Sequence, residues 1–459
     1  MSIKEIIQKI DNQANELDIS NFQKWIEVDI DNFFKEKWTM YKEAQKFNMQ
    51  VISRQIHLPT GNKGKQYNFS FNLDNIGVAE VESFELIDLP EGVVYDTVEK
   101  TITGVPTTAG DHKVLLRCFS HNHRYVGEKS LTLTVVPDPK DLWKNIPTPT
   151  DIEFYKEDCE SKFYRREVPE NSSTPKTMIA ASQRGRSHAH EGTPRDDDFA
   201  LHFDDDTKWY IMAVADGAGS AKYSRRGAQL ACNTAVGLCA KQLAKDGISE
   251  ILDLAIFEYN KNSCEKTRSD LYKALHSEVL AKAAWASFQE INAEASKKQC
   301  VAKDYATTLK LSICKEFDFG WFIGAFWVGD GGIGVYNKEK QILKILGEPD
   351  GGEFAGQTRF LTMPEIFSDR PRTRFEIVED FTALILMTDG VTDPKFETDA
   401  NLNKIEKWND LWDDLNGANE DIVKVDFSYD NEQADKELLK WLDFWSKGNH
   451  DDRTIAILY

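Results

Sequence analysis

Three apolar segments of this 459-residue chain each end at an aspartate followed by glycine, and this repetition constrains the fold more than any other feature. The segments are residues 209–217, 321–331 and 381–390. Uninterrupted apolar runs of this length are typical of strands that are buried on both faces. Two further acids, Asp451 and Asp452, come just before the last apolar run. The pattern therefore predicts a layered core whose strand ends carry carboxylates.

An Asp-Gly pair after a single strand is ordinarily a turn, because glycine adopts a positive φ at little energetic cost. Turns alone account poorly for three such pairs, the acidic pair before the last strand, and Asp393 close behind Asp389. Carboxylates that converge on one rim of a sheet repel one another unless a cation lies between them. Since carboxylate ligands favour hard cations, the pattern predicts a site for Mg²⁺ or Mn²⁺ rather than for Zn²⁺.

The overall charge and the cysteine spacing limit the possible partners and compartments. A formal net charge of −20 disfavours binding to a nucleic-acid backbone or to an anionic membrane. The seven cysteines have neither Cys-x-x-Cys nor zinc-knuckle spacing, which predicts reduced thiols. The N-terminus has no signal-peptide pattern, and no apolar segment reaches about 18 residues. We therefore expect a cytoplasmic protein that does not cross a membrane.

The residue pattern changes three times along the chain and predicts four segments. Residues 1–47 carry apolar side chains at helical spacing and form a helical N-terminal segment. Residues 48–138 alternate with period two between turn signals, as in a small all-β sandwich. Residues 139–175 are rich in proline and charge and form a linker. Residues 176–459 mix strand and helix patterns, which indicates a layered α/β or α+β domain.

The β-rich segment resembles a known class of repeats. Residues 89–96 read Leu-Pro-Glu-Gly-Val-Val-Tyr-Asp, and residues 102–110 read Ile-Thr-Gly-Val-Pro-Thr-Thr-Ala-Gly. Both runs are similar to those of bacterial immunoglobulin-like and cadherin-like repeats. The resemblance implies a binding, targeting or spacer module that carries no chemistry of its own.

A short loop at the start of the large domain combines basic and acidic groups. Residues 196–198 are all aspartate and could extend the acidic cluster. Arg184, Arg186 or Arg195 could bind a phosphate, since a guanidinium forms bidentate hydrogen bonds to phosphate oxygens. Two cations bridged by one carboxylate would activate a water and neutralise phosphoryl oxygens, so the two groups together suit hydrolysis of a phosphate ester. The alternative for this loop alone is a solvated polar surface.

Six motifs and one longer run, in this order, resemble those of the PP2C (PPM) metal-dependent Ser/Thr protein phosphatases, in their bacterial branch. The motifs are Pro194–Phe199, Ala215–Ser220, Ala306–Leu309, Val328–Gly331, Met387–Asp393 and Asp451–Thr454, and the run is Gly352–Thr362. The resemblance spans residues 176–459 and implies an α+β fold, a PP2C-like layered β-sandwich flanked by helices. The small immunoglobulin-like sandwich and the short helical segment would precede it.

The resemblance also implies a role for each matching residue. It assigns metal binding to seven residues: Asp197, Asp216, Gly217, Asp330, Asp389, Asp393 and Asp451. Within this set Asp216 would bridge two ions, Asp389 and Asp451 would hold one of them, and Asp330 and Asp393 would hold a third, weaker ion. Catalysis would depend on Asp216, Asp389 and Asp451. The implied cofactor is Mn²⁺ or Mg²⁺, and the implied nucleophile is a metal-activated water.

Two departures from the family pattern affect the expected activity. Where many members carry histidine after Asp-Gly, this chain has Ala218, and Gly331 and Gly332 replace the usual Ser-Arg. The general acid is therefore unassigned, with His188 and a metal-bound water as alternatives. For the substrate phosphate we choose Arg186 over the other two arginines of the loop.

The expected function is hydrolysis of phosphoserine and phosphothreonine in proteins, with the β-sandwich as a targeting module. The expected partners are a phosphorylated protein substrate and a cognate kinase. The alternative is a catalytically inactive PP2C-like binding or scaffold protein in a bacterial signalling system.

Overall fold

A computed structural model of the protein describes residues 3–165, 176–350 and 358–459. The chain divides into two compact units, Met1–Leu142 and Trp143–Tyr459. Part of the predicted linker, residues 166–175, and part of the resembled run, residues 352–357, lie outside the described residues. All seven cysteines are free thiols. Among the helices of the described ranges, none combines the length and apolar character that a bilayer span requires.

Helices and two small sheets make up the described part of the first unit. The helices are α1 (Ile3–Ile10), α2 (Glu16–Ser53) and α3 (Leu73–Ile76). The strands are β1 (Gly61–Asn62), β2 (Tyr67–Ser70), β3 (Val81–Ile87), β4 (Val93–Asp96), β5 (Thr101–Gly104), β6 (Gly110–Ser120) and β7 (Val126–Val136). The strand orders are β1-β7-β6-β3 and β2-β5-β4. The predicted sheets are confirmed, whereas their assignment to the immunoglobulin-like class stays a prediction.

Two local features explain these strands: buried and less buried side chains alternate along them, and one tight turn brings two backbone segments together. Val114, Leu116 and Cys118 of β6 are fully buried in the core of this unit, two residues apart, as a period-two strand requires. The Leu-Pro-Glu-Gly run ends where two backbone segments meet. Gly92 has φ 86°, and a Cβ there would lie 2.0 Å from the carbonyl oxygen of Val105, so a larger residue would break this contact.

The second unit alternates longer strands with helices. The helices are α4 (Arg186–Glu191), α5 (Ser224–Leu243), α6 (Ser249–Lys261), α7 (Glu265–Leu275), α8 (Ala281–Lys297), α9 (Asp389–Phe396), α10 (Ile405–Leu415) and α11 (Ala434–Trp441). The strands are β8 (Cys159–Arg165), β9 (Thr177–Gln183), β10 (Asp198–Phe203), β11 (Tyr210–Ala215), β12 (Leu309–Phe317), β13 (Gly320–Val328), β14 (Gly332–Asn337), β15 (Ile342–Gly347), β16 (Thr373–Val378), β17 (Ala383–Met387) and β18 (Arg453–Leu458).

Two antiparallel sheets pack face to face in this unit and carry helices on their outer faces. The strand orders are β10-β11-β12-β13-β16 and β15-β14-β17-β18-β9-β8. In β11, Met212 and Val214 join the core between the sheets, whereas Ile211 and Ala213 join the core beneath helices α5 to α8. Both faces of the strand are therefore buried, which explains why its sequence is apolar throughout. The predicted α+β layered fold is confirmed.

Helices α9 to α11 cover the outer face of the six-stranded sheet. Trp408, Trp412 and Trp441 are buried in the core there, so these tryptophans pack the helices against the sheet. Residues of the predicted linker also contribute to this unit, since β8 pairs with β9 along its whole length.

Candidate metal and phosphate site

The antiparallel register of the second unit brings several strand ends to one rim. Ala215, the last residue of β11, pairs with Asp198, the first residue of β10. Met387, the last residue of β17, pairs with Ile455 near the start of β18. The acids that follow β11 and β17, and the acids that precede β10 and β18, therefore lie at the same rim.

Three of the predicted aspartates meet at this rim. One carboxylate oxygen from each of Asp216, Asp330 and Asp389 lies within 4.8 Å of the other two. The backbone of Asp216 is fixed by its neighbour strand, because its N–H donates to Thr308 Oγ1 at 3.0 Å. Thr358 Oγ1 donates to Oδ2 of Asp330 at 2.6 Å. The Asp216 backbone and the Asp330 carboxylate are thus held in place by other parts of the fold.

Two of the predicted metal ligands each have a buried carboxylate oxygen that lacks a hydrogen-bond donor among the described residues. These oxygens are Oδ1 of Asp330 and Oδ1 of Asp197. Asp197 is fully buried, and its other oxygen accepts from Thr388 Oγ1 at 2.9 Å. A buried polar atom without a partner is costly, and a cation would satisfy both oxygens. Because the ligand atoms offered to a cation here are all carboxylate oxygens, the site fits Mg²⁺ or Mn²⁺.

The acids also destabilise one another in their charged forms. Removal from water and the charge of Asp389 hold the pKa of Asp216 well above its usual range. Removal from water and the charge of Asp330 do the same for the pKa of Asp389. Burial, followed by the charge of Asp452, raises the pKa of Asp197 to about 7. A divalent cation among these carboxylates would reverse the repulsion into attraction.

A second group of titratable residues adjoins the first. Side-chain atoms of His188, Asp451 and Asp452 lie within 4.8 Å of one another. Buried Asp452 accepts hydrogen bonds from the N–H groups of Gly185 at 2.6 Å and Asp196 at 2.5 Å. Burial disfavours the His188 cation, but the Asp452 carboxylate, 3.0 Å from His188 Nδ1, outweighs that effect and raises the pKa of His188 to about 10.

Asp451 belongs to this second group, yet its charge also acts on the first. Loss of water and the charge of Asp452 raise the pKa of Asp451, and the Asp451 charge in turn raises the pKa of Asp389. The structure therefore brings Asp216, Asp330 and Asp389 into one cluster and places Asp451 beside it, next to His188.

The remaining predicted ligands lie close by. Asp393 is one helical turn beyond Asp389 in α9, where burial and the charge of Asp330 raise the pKa of Asp393. Gly217 forms a bridge with Thr307, and a Cβ at Gly217 would lie 2.8 Å from a backbone oxygen. Only glycine fits this close approach.

The three candidate arginines differ in their surroundings. Arg184 is buried and forms hydrogen bonds with groups on residues 145–148 and with Thr193. Arg195 is fully buried and donates to the backbone oxygen of Asp197 at 3.2 Å. Arg186 is partly exposed, binds Asp443 and keeps a buried Nε without a hydrogen-bond partner among the described residues.

Lys310 is a buried cation of the rim that the sequence analysis missed. It lies on β12, and its Nζ donates to Thr308 Oγ1 at 3.1 Å. A Cβ at Gly331 would lie 3.1 Å from this Nζ, so glycine in place of the usual serine leaves room for Lys310. The Lys310 charge offsets part of the repulsion on Asp389. A lysine inside an otherwise apolar strand, residues 309–314, was the signal that could have identified it.

Lys310→Met is expected to tighten Mn²⁺ binding by about tenfold, because a fixed positive charge beside the acids repels an incoming cation. Isothermal titration calorimetry at one ionic strength measures the change. Lys315→Met, on the same strand but paired with Asp253, is the matched control and should leave the affinity unchanged. Weaker binding by Lys310→Met would contradict the assignment of Lys310 to the rim.

The metal-free protein should lose stability as the pH rises from about 4 to about 7. Burial and the charge of Asp452 raise the folded-state pKa of Asp197 to about 7 and that of Asp196 to about 6, both above the unfolded value of about 3.9. The stabilisation is therefore complete below the unfolded pKa and is lost as the pH passes the folded pKa. In urea unfolding with EDTA, the Asp197→Asn variant should lose less stability over this pH range than the wild type, by on the order of 4 kcal/mol. If the wild type and Asp197→Asn showed the same dependence of stability on pH, the raised pKa of Asp197 would not be its cause.

A family model described as Protein phosphatase 2C matches residues 184–443. No curated protein matches the chain.

Several solved structures are similar at low identity. A bacterial serine phosphatase shares 12% identity at a TM-score of 0.35, covering 65% of this chain and 96% of that chain. Serine/threonine phosphatase Stp1 from Staphylococcus aureus shares 11% at 0.34, covering 67% and 98%. The catalytic domain of the serine threonine protein phosphatase PstP, in complex with 2 manganese ions, shares 14% at 0.32, covering 61% and 96%.

Proposed function

Because this chain belongs to the protein phosphatase 2C family, we propose that it hydrolyses phosphoserine and phosphothreonine in proteins with the help of Mn²⁺ or Mg²⁺. The observation that carries the proposal is the meeting of Asp216, Asp330 and Asp389 within 4.8 Å. Convergence of three carboxylates at this cost in charge repulsion is typical of a site that serves a cation.

The side chains at the rim divide the task of holding cations. Asp216, at the centre of the mutual repulsion, is the residue we assign to bridge two ions, with the Gly217 carbonyl beside it. The other ligands in the proposal are Asp197, Asp330, Asp389, Asp393 and Asp451. When bound, two divalent cations activate a water and neutralise charge on phosphoryl oxygens. The chain itself supplies the rigid positions, through Thr308, Thr358 and Thr388.

Arg186 is our proposal for the residue that binds the substrate phosphate. Arg184 and Arg195 are buried and hydrogen-bonded within the protein, so neither can turn toward a ligand without breaking those bonds. Arg186 would exchange its partner Asp443 for the phosphate, keeping its contact with the ring of Trp445, 5.9 Å from the guanidinium carbon.

His188 is our proposal for the group that supplies the proton to the leaving alcohol. Ala218 stands where a histidine would serve this purpose in many relatives, and Ala218 cannot donate a proton. His188 is held by Asp452 in its charged form beside Asp451, one of the proposed ligands. Because its pKa lies well above 7, His188 carries its proton at neutral pH and can donate it to the oxygen of the leaving alcohol.

We also propose that the first unit is a targeting module of the immunoglobulin-like class, and that the enzyme acts in the cytoplasm on a protein phosphorylated by a cognate kinase. Its two small sheets, the Gly92 turn and the resemblance of residues 89–96 and 102–110 support the module assignment. The predicted boundaries, 48–138 for the module and 176–459 for the phosphatase, are part of this proposal.

A second function, that of an inactive binding protein, is favoured by Ala218 and by the Gly331-Gly332 pair. Such a protein would bind Mn²⁺ without turnover, or would do neither. The predicted metal acids are all present, and the departures fall on auxiliary positions, so we prefer the enzyme.

Turnover of a phosphoserine or phosphothreonine peptide with Mn²⁺ tests the proposal. The wild-type chain should release phosphate, and Asp389→Asn should reduce the rate by at least about 1,000-fold, because the cluster loses a ligand. Asp410→Asn, an exposed acid on α10, is the matched control. Equal turnover by the wild type and Asp389→Asn would exclude this mechanism, and Mn²⁺ binding without turnover would favour the binding protein.

A further inference from the structure

Helix α2 of the first unit carries a row of exposed apolar side chains. Trp25 is 69% exposed, Phe34 66% and Trp38 59%, which is unusual for such large apolar residues. The apolar row consists of residues at four-residue spacing and their neighbours, all exposed except the partly buried Ile26 and Ile30: Phe22, Trp25, Ile26, Ile30, Phe33, Phe34, Trp38 and Tyr41. Residues four apart adjoin along one ridge of a helix, which is inclined to the helix axis, so the row forms a continuous strip that winds about halfway around α2.

The sheets of the first unit do not account for this strip. The residues of α2 that enter the core of the unit are Phe47 and Val51, near the C-terminal end of the helix. The hydrogen bonds to the strands also come from that end, where Asn48 accepts from the N–H of Glu128 at 3.0 Å. Lys129 donates to the carbonyl oxygen of Ile52 at 2.5 Å. The apolar row lies before these contacts begin.

Charge is distributed unevenly along the same helix. Residues 16–31 contain five acids and one lysine, namely Glu16, Asp18, Glu27, Asp29 and Asp31 against Lys24. Residues 35–46 contain four lysines and two acids, namely Lys35, Lys37, Lys42 and Lys46 against Glu36 and Glu43. Two such helices side by side in parallel would place like charges together, whereas an antiparallel pair places each acidic half against a basic half.

We propose that α2 is a self-association surface, through which two copies of the chain pair antiparallel along the apolar row. The six aromatic side chains of the row would bury on the order of 700 Å² per copy, close to the roughly 800 Å² per partner of a stable interface. A second copy is favoured over a different partner because the helix is complementary to itself in both charge and apolar character.

Sedimentation velocity of the full chain over a concentration series tests this pairing. At low salt the wild type should sediment as a species of twice the 52.3 kDa chain mass. Glu27→Lys/Asp29→Lys/Asp31→Lys changes the charge of the acidic half from −4 to +2, and Lys37→Glu/Lys42→Glu changes the charge of the basic half from +2 to −2. Each variant should dimerise at least about 100-fold more weakly, since like charges then face each other at both ends. Glu99→Lys/Glu339→Lys/Asp410→Lys makes the same change in net charge as the first variant, at exposed sites elsewhere, and should still dimerise.

Sedimentation velocity of a mixture of the two α2 variants is the decisive measurement. An antiparallel pair of one of each restores opposite charges at both ends, so the mixture should form a heterodimer that neither variant forms alone. This rescue also shows that both variants are folded. A wild type that stays monomeric at about 100 μM, variants that dimerise like the wild type, or a mixture that stays monomeric would each overturn the proposal.

Discussion

Asp216→Asn is expected to abolish Mn²⁺ binding and phosphatase turnover and, in the same protein, to raise the melting temperature of the metal-free form. The asparagine keeps the size of the side chain and the backbone hydrogen bond to Thr308 Oγ1. It removes the charge that repels Asp389 and Asp330, and with it the ligand we assign to bridge two ions. A site built for a cation should cost stability when the cation is absent, and this variant separates the two effects.

Asp216→Asn is expected to lower turnover and to raise the stability of the metal-free protein, and these two effects can be measured independently. Turnover should fall by at least about 1,000-fold, as for loss of a central metal ligand. Relief of repulsion should stabilise the metal-free protein by about 1–2 kcal/mol, or a few degrees. Differential scanning fluorimetry with and without Mn²⁺ should show a rise for the wild type on adding metal and no rise for Asp216→Asn.

Asp410→Asn again serves as the control, since it removes one exposed carboxylate without touching the rim. If Asp216→Asn still bound Mn²⁺ like the wild type, the rim would not be the metal site. If its metal-free form melted at a lower temperature, the carboxylate would stabilise the fold by itself, and the account of mutual repulsion would be wrong.

Lys156→Met is expected to destabilise the protein by about 3–5 kcal/mol, because it leaves a buried carboxylate without its partner. Lys156 Nζ donates to Asp198 Oδ2 at 2.9 Å and to the backbone oxygen of Asp197 at 2.8 Å. Both side chains are almost completely buried, so water cannot replace the lost ammonium. The position matters, because Lys156 belongs to the segment that the sequence predicts as a linker.

Urea unfolding of three variants isolates this interaction. The double variant Lys156→Met/Asp198→Asn should recover at least half of the lost free energy of unfolding, because it removes the unpaired charge. Lys162→Met removes an exposed ion pair with Glu160 in the same segment and should change stability by less than about 0.5 kcal/mol. A small effect of Lys156→Met would mean that residues before β9 contribute little to the second unit.

The predicted linker shows why local pattern has limits. Strand β8 carries only partly buried side chains, so its sequence lacks the apolar run or clean alternation by which strands are recognised. Its position in the sheet depends on pairing with β9, which lies across a gap in the described chain. Because residues on both sides of β8 are rich in proline and charge, the whole segment resembles a linker in sequence.

The candidate site also contains residues that the sequence identifies and residues that it does not. Arg186, His188 and the acids of the motifs could be named in advance, because each falls in a short run with its own chemistry. The buried pair of Lys156 with Asp198 could not, since a single lysine in a polar segment carries no pattern. For Lys310 the apolar residues around it indicate a buried lysine, but its place at the rim follows only from the fold. Which carboxylates share one cluster also depends on the packing of two sheets, and local spacing contains no distance between sheets.

By itself the sequence determined that buried strands end in aspartates, because apolar runs, Asp-Gly pairs and alternation are properties of neighbouring residues. Only the tertiary structure decided that Asp216, Asp330 and Asp389 form one group and that Asp451 lies beside His188. Strand register and the stacking of the two sheets set those distances. Electrostatic repulsion acts through space, so its consequences follow from the folded arrangement and not from order along the chain.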